Sequence, residues 1–181
     1  MIYILLADGF EEIEALTVVD ILRRANVDIK MVSVEDGNSV TGAHGIIVQA
    51  DISIDMVQKS KMEMLILPGG LPGTDNLEGS AEVINLISYA NENGKYIAAI
   101  CAAPKILGRL NLLNGKSAIC YPGYEGELIG AKIIEKGVVI DENIITAKAA
   151  GTAHSFAFAI VEVLCNKQMA QDISKKMYYK D

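Results

Sequence analysis

Two kinds of segment alternate along the chain. Short runs without a polar break, Ile2–Ala7, Met64–Leu67 and Tyr96–Ile100, predict strands buried on both faces. Ile29–Val34 reads as a further strand, and Val40–Gln49, with Gly42 and Gly45, as a short β-ribbon. Between them, helical spacing predicts helices over Glu12–Ala25, Ala81–Asn91 and Ala103–Leu110, with closing helices over Gly151–Leu164 and Met169–Met177. Lys116–Ile145 reads as strand and loop. This β-α-β-α order predicts an α/β fold, a mostly parallel sheet with helices on both sides. No linker, repeat or low-complexity tract interrupts residues 1–181, so one domain is expected. In such sheets sites lie beyond the carboxyl ends of the strands. Three segments therefore matter: Asp8–Glu14, Gly69–Asn76 and Cys101–Pro104.

Composition narrows the function classes. The 181 residues are 51% apolar and carry a net charge of −7. That charge argues against nucleic acid, whose phosphates call for a basic face, and gives no attraction to anionic membranes. No apolar run reaches the ~20 residues of a membrane span. The start, MIYILLADGFEE, lacks the basic lead of a signal peptide. Three scattered cysteines give no disulfide framework and no C-x-x-C pair, and the two histidines lie far apart, so no metal site is expected. Together these features predict a reduced cytoplasmic protein.

The run Tyr96-Ile-Ala-Ala-Ile-Cys101-Ala-Ala-Pro104 takes a buried strand into a helix with almost no loop. Ala99 and Ala103 flank the cysteine where glycines stand in the G-x-S-x-G nucleophile elbow. Pro104 suits a first helical turn, which needs no N–H partner there. A cysteine before a helix N-terminus is expected to have a lowered pKa. The N–H groups of Ala102 and Gly70 are candidate oxyanion donors. The competing reading is a buried structural cysteine; the elbow favours the reactive one. Cys120 and Cys165 lack that context and read as structural.

On a helical wheel of roughly 100° per residue, Ala15, Val18, Val19, Ile21, Leu22 and Ala25 form an apolar arc, with Glu12, Thr17, Asp20, Arg23 and Arg24 opposite. Glu14 falls inside the arc and is expected to face the sheet. A buried carboxylate is costly unless paired or protonated, and burial beside a thiolate raises its pKa. Protonated Glu14 could then donate to Cys101 and serve as general acid or base. The alternative is a helix-start glutamate favoured by the dipole.

A histidine base is missing. His154 reads as a surface or packing residue and His44 as an exposed ribbon residue, so a hydrolase mechanism has weak support. The acidic first loop, Asp8-Gly-Phe-Glu-Glu, repels phosphate, and no G-x-G-x-x-G or Walker sequence occurs. No cofactor is expected.

The motifs Ala7-Asp-Gly-Phe-Glu-Glu-Ile-Glu14, Val19-Asp-Ile-Leu-Arg-Arg24, Leu67-Pro-Gly-Gly70, Ala98-Ala-Ile-Cys-Ala-Ala-Pro104 and Gly151-Thr together resemble the ThiJ/PfpI superfamily, in its DJ-one-like deglycase branch. The resemblance runs nearly end to end. It implies a flavodoxin-like three-layer sandwich, usually homodimeric. It also implies Cys101 as the reactive cysteine, Glu14 as its protonated partner, and Gly70 and Ala102 as backbone donors. His44 stands where close relatives carry a basic residue that reaches the neighbouring subunit's site. Tyr121, in Cys120-Tyr121-Pro122, stands where many relatives carry a histidine near the cysteine, which weakens histidine-assisted chemistry.

The leading expectation is a cofactor-free activity on reactive carbonyls, of glyoxalase or deglycase type, through Cys101 thiolate and Glu14. The second is a non-enzymatic oxidative-stress sensor or chaperone acting through Cys101 oxidation. An intracellular cysteine peptidase is third, disfavoured by the absent histidine.

Overall fold

The computed structural model describes residues 1–179. Its central sheet rests on the runs that the hydrophobic pattern picks out. β1 (Ile2–Leu6) pairs in parallel with β2 (Ile29–Ser33) on one side and β6 (Met64–Leu67) on the other. β6 pairs in parallel with β7 (Tyr96–Ile100), and β7 with β11 (Ile144–Ala147). β10 (Val138–Asp141) closes one edge, antiparallel to β11; the two-residue β5 (Ile52–Ser53) closes the other. The order across the seven strands is β10-β11-β7-β6-β1-β2-β5.

Successive strand residues feed opposite faces. Ile2, Ile4 and Leu6 enter one core with α1 (Glu12–Arg24), α5 (Ala153–Leu164) and α6 (Lys167–Lys176). Tyr3 and Leu5 enter a second core with α2 (Gly73–Gly79), α3 (Ala81–Glu92) and α4 (Pro104–Arg109). Both sheet faces are thus covered, which is why the central strands carry no polar alternation. This is a flavodoxin-like α/β sandwich, as expected.

The ribbon is present as β3 (Ser39–Thr41) antiparallel to β4 (Ile47–Gln49). It lies along the start of α1: Gly9 N–H donates to Thr41 O, and Ala43 N–H to Phe10 O. The segment read as strand and loop contains the short parallel pair β8 (Ser117–Ala118) and β9 (Lys132–Ile133) before β10. Among the described residues, no helix is long and apolar enough to cross a membrane.

Candidate active site

Three loops meet at the carboxyl ends of β1, β6 and β7. Glu11 N–H donates to Gly69 O at 2.9 Å and Gly73 N–H to Gly9 O at 3.1 Å. The first and second loops are therefore stitched backbone to backbone, with little room for side chains. A Cβ on Gly70, whose φ is +93°, would lie 2.4 Å from Glu11 N.

Cys101 leaves β7 in the left-handed region, with φ +64°. A non-glycine residue held there is strained by about 1–2 kcal/mol, and such strain gathers at functional sites. The turn is fixed on both sides: Cys101 N–H donates to Ala147 O at 3.0 Å, and Cys101 O accepts from Tyr121 N–H at 2.8 Å. Ala99 and Ala103 are fully buried around it, and Pro104 opens α4. Cys101 itself is half-buried.

Glu14 faces the sheet, 1% exposed on the apolar side of α1. Glu11 caps the helix by accepting from Glu14 N–H at 2.7 Å. Glu14 Oε2 accepts from Gly69 N–H at 2.8 Å; Oε1 is buried without a hydrogen-bond partner of normal geometry. Gly69 is the shared wall of the site. A Cβ there would lie 2.6 Å from both Cys101 Cβ and Glu14 Oε2. Glycine lets the carboxyl and the thiol crowd one point.

The two groups titrate as a pair. Burial pushes the Glu14 carboxyl up to about 7, against the Gly69 N–H and the Cys101 thiol, which favour its charged form. Burial, then the Glu14 charge and hydrogen bond, push the Cys101 thiol up to about 12. The Ala102 and Gly70 N–H groups act on the sulfur in the opposite direction. The lowered thiol pKa expected from the helix start is thus overridden. α4 has six residues and begins three positions after the cysteine, while desolvation and a neighbouring charge act at contact. Between about 7 and about 12 the pair holds one proton and one negative charge.

The other candidates divide. The Gly70 and Ala102 N–H groups are directed at the Cys101 sulfur. Tyr121 joins the site through its backbone, while its side chain is 47% exposed. His44 does not approach Cys101 within the chain. Its Nδ1 lies 2.7 Å from Glu12 Oε2, and burial of Glu12 is outweighed by this bond and the His44 and Ile46 N–H groups, leaving that carboxyl lowered. Glu12 is 4% exposed, contrary to its polar position on the wheel, because the ribbon covers it. The expectation of no metal-ligand cluster also changes: the fold brings Glu11, Glu12 and His44 together across more than thirty residues. Cys120 is buried, as a structural cysteine should be, whereas Cys165 is exposed at the end of α5. His154 is a packing residue, stacked on Tyr179 at 5.0 Å.

Two participants escaped sequence reasoning. Gly69 was hidden behind Gly70; the Gly-Gly pair itself was the available signal. Lys105, buried in α4, pairs with Asp75 and lies 3.5 Å from Glu78, tying the elbow helix to α2, which follows the Gly69–Gly70 loop. One lysine just after an elbow gives no sequence signal.

Comparison with known proteins agrees with this architecture. The model of the DJ-1/PfpI family matches residues 1–163. Protein dj-1beta of Drosophila melanogaster is 34% identical over 174 residues, 95% of this chain and 93% of its own. A deglycase of Pyrococcus abyssi is 27% identical, over 90% of this chain and 98% of its own. Two longer Arabidopsis thaliana homologues are matched over 39% and 44% of their length. The oxidized DJ-1 of Toxoplasma gondii superposes with a TM-score of 0.94 at 33% identity, covering 99% of this chain and 98% of its own. The chain belongs to the DJ-1/PfpI family.

Proposed function

We propose that the protein converts reactive carbonyl compounds by a cofactor-free cysteine mechanism, of the glyoxalase or deglycase type. The observation that carries this reading is the meeting of a buried carboxyl and an elbow thiol at Gly69. Such a pair can supply a nucleophile and a proton carrier at one point. The deglycase name of the Pyrococcus relative supports the substrate class.

The chemistry follows from one proton shared by two groups. In the one-proton state the sulfur holds the proton and Glu14 is the carboxylate. When substrate binds, Glu14 takes that proton and the thiolate is held by the Ala102 and Gly70 N–H groups. The thiolate adds to the aldehyde carbon of methylglyoxal, forming a C–S bond, and Glu14 gives its proton to the resulting alkoxide. The Glu14 carboxylate then carries the proton of the former aldehyde carbon to the adjacent carbonyl carbon, while the hydroxyl proton passes from the first oxygen to the second. The product is a lactoyl thioester on Cys101, which water hydrolyses to lactate and free thiol. Methylglyoxal and water become lactic acid, with no external oxidant or reductant. Lactate production from methylglyoxal without glutathione tests the reading. Cys101→Ala should abolish it, and Glu14→Gln should lower the rate by about 10²–10⁴. Lactate at the Cys101→Ala level from the unaltered chain would overturn it.

A second reading has its own support, the similarity to an oxidized DJ-1. Peroxide would oxidise Cys101 to a sulfinate retained by the Glu14 proton. Intact mass after mild peroxide should show two added oxygens on Cys101; addition confined to Cys165 contradicts it. In either reading the protein acts as a homodimer in a reducing compartment. Exposed Ile13 on α1 and Ile46 and Ile47 on the ribbon support an apolar contact face.

A further inference from the structure

Outside the Cys101–Glu14 site, three metal-ligating side chains from two elements converge at the start of α1. Ligand atoms of Glu11, Glu12 and His44 all lie within 4.8 Å of one another. Each carboxylate has one oxygen anchored to backbone. Glu11 Oε2 accepts from Glu14 N–H at 2.7 Å, and Glu12 Oε1 accepts from His44 N–H at 2.7 Å and Ile46 N–H at 3.5 Å. The remaining oxygens face the imidazole. Glu12 Oε2 lies 2.7 Å from His44 Nδ1, and Glu11 Oε1 lies 3.9 Å from it. Anchoring one atom of a ligand so that the other is aimed is how outer hydrogen bonds orient metal ligands. Gly42 makes the approach of the ribbon possible, since a Cβ there would lie 2.3 Å from Glu12 Oε1.

We propose that Glu11 Oε1, Glu12 Oε2 and His44 Nδ1 form a binding site for a divalent cation of the zinc class. An imidazole with two carboxylates is a donor set for zinc and its neighbours; magnesium and calcium prefer oxygen alone. Three protein ligands leave a fourth position for water or an incoming donor, the arrangement of an open zinc site. In the single chain the His44 side chain is 68% exposed, which gives the cation a route in before two copies associate. On binding, the cation takes the place of the Nδ1 proton, which leaves to solvent; the carboxylates keep their charges, and no electron moves. The site adjoins the Cys101–Glu14 pair through Glu11, whose Oε2 accepts from Glu14 N–H, but no step of the carbonyl chemistry proposed above uses a bound cation.

The test is calorimetric titration of the chelator-stripped full chain with zinc chloride, with cobalt(II) absorption as a second readout of ligand geometry. Thiols also take zinc, so the Cys101→Ser/Cys165→Ser chain is titrated beside the unaltered one. The expected result is one ion per chain retained in the cysteine variant. Affinity should fall by on the order of 100-fold in His44→Ala. Glu11→Gln, which keeps an oxygen to cap the helix, should weaken binding in the same direction. Circular dichroism checks that each variant is folded. No saturable binding, binding that disappears with the cysteines, or binding that folded His44→Ala leaves unchanged overturns the proposal.

Discussion

Cys101 combines two costs that ordinary core cysteines avoid: a left-handed backbone and a buried acid beside the sulfur. The first predicts a difference between two inactive variants. Cys101→Gly should be more stable than Cys101→Ala by about 1 kcal/mol, because alanine keeps the left-handed penalty and glycine does not. Urea denaturation of both checks this; equal midpoints contradict it. The second cost appears as pH dependence. The Glu14 carboxyl is raised in the fold from 4.5 to about 7, so its proton is worth most where it is held. Its contribution is fully present below 4.5 and is lost as pH rises through 7. Wild type should therefore lose stability relative to Glu14→Gln across that window, by on the order of 3 kcal/mol. Parallel pH–stability curves, measured with chelator present, contradict it. The periodicity of α1 made Glu14 legible. The raised thiol pKa was not legible, because it depends on how deeply a neighbour 87 positions away in sequence is buried.

At the scale of elements, the site is a problem of close approach. Gly69 separates α1 from the elbow, and only a hydrogen fits where its side chain would be. Gly69→Ala should push Glu14 and Cys101 apart and destabilise the chain by about 1–3 kcal/mol. Lactate formation should fall with it; unchanged activity and stability contradict the account. The long buried strands and amphipathic helices could be read from sequence because each repeats its period several times. The two-residue strands β5, β8 and β9 could not, since no period fits in two residues. α2, bounded by Gly73 and Gly79, escaped for a related reason: its seven residues bury only one large apolar side chain, Leu77. Glu12 was misplaced because a wheel sees one helix, and its cover comes from the ribbon.

On the scale of the whole molecule, the sheet delivers three loops to the carboxyl ends of its central strands, while α1 and the ribbon leave Ile13, Ile46 and Ile47 exposed. If these residues form the contact between two copies, Ile47→Glu should convert a dimer to a monomer in sedimentation equilibrium. The substitution lies in an exposed strand, so the fold should survive it. A wild-type monomer, or a dimer indifferent to Ile47→Glu, contradicts that assignment. The architecture was legible because its central strands are covered on both faces. The joining of His44 to Glu12 was not, since it depends on where the ribbon lands.

The central claim is that Glu14 and Cys101 share one proton at neutral pH. Carbon-13 NMR titration of the glutamate side-chain carboxyls, with Glu14 assigned by its loss in Glu14→Gln, tests it most directly. The account predicts a Glu14 midpoint near 7 that moves when Cys101 is replaced by alanine. A midpoint near the ordinary 4.5, unchanged by that replacement, would contradict it.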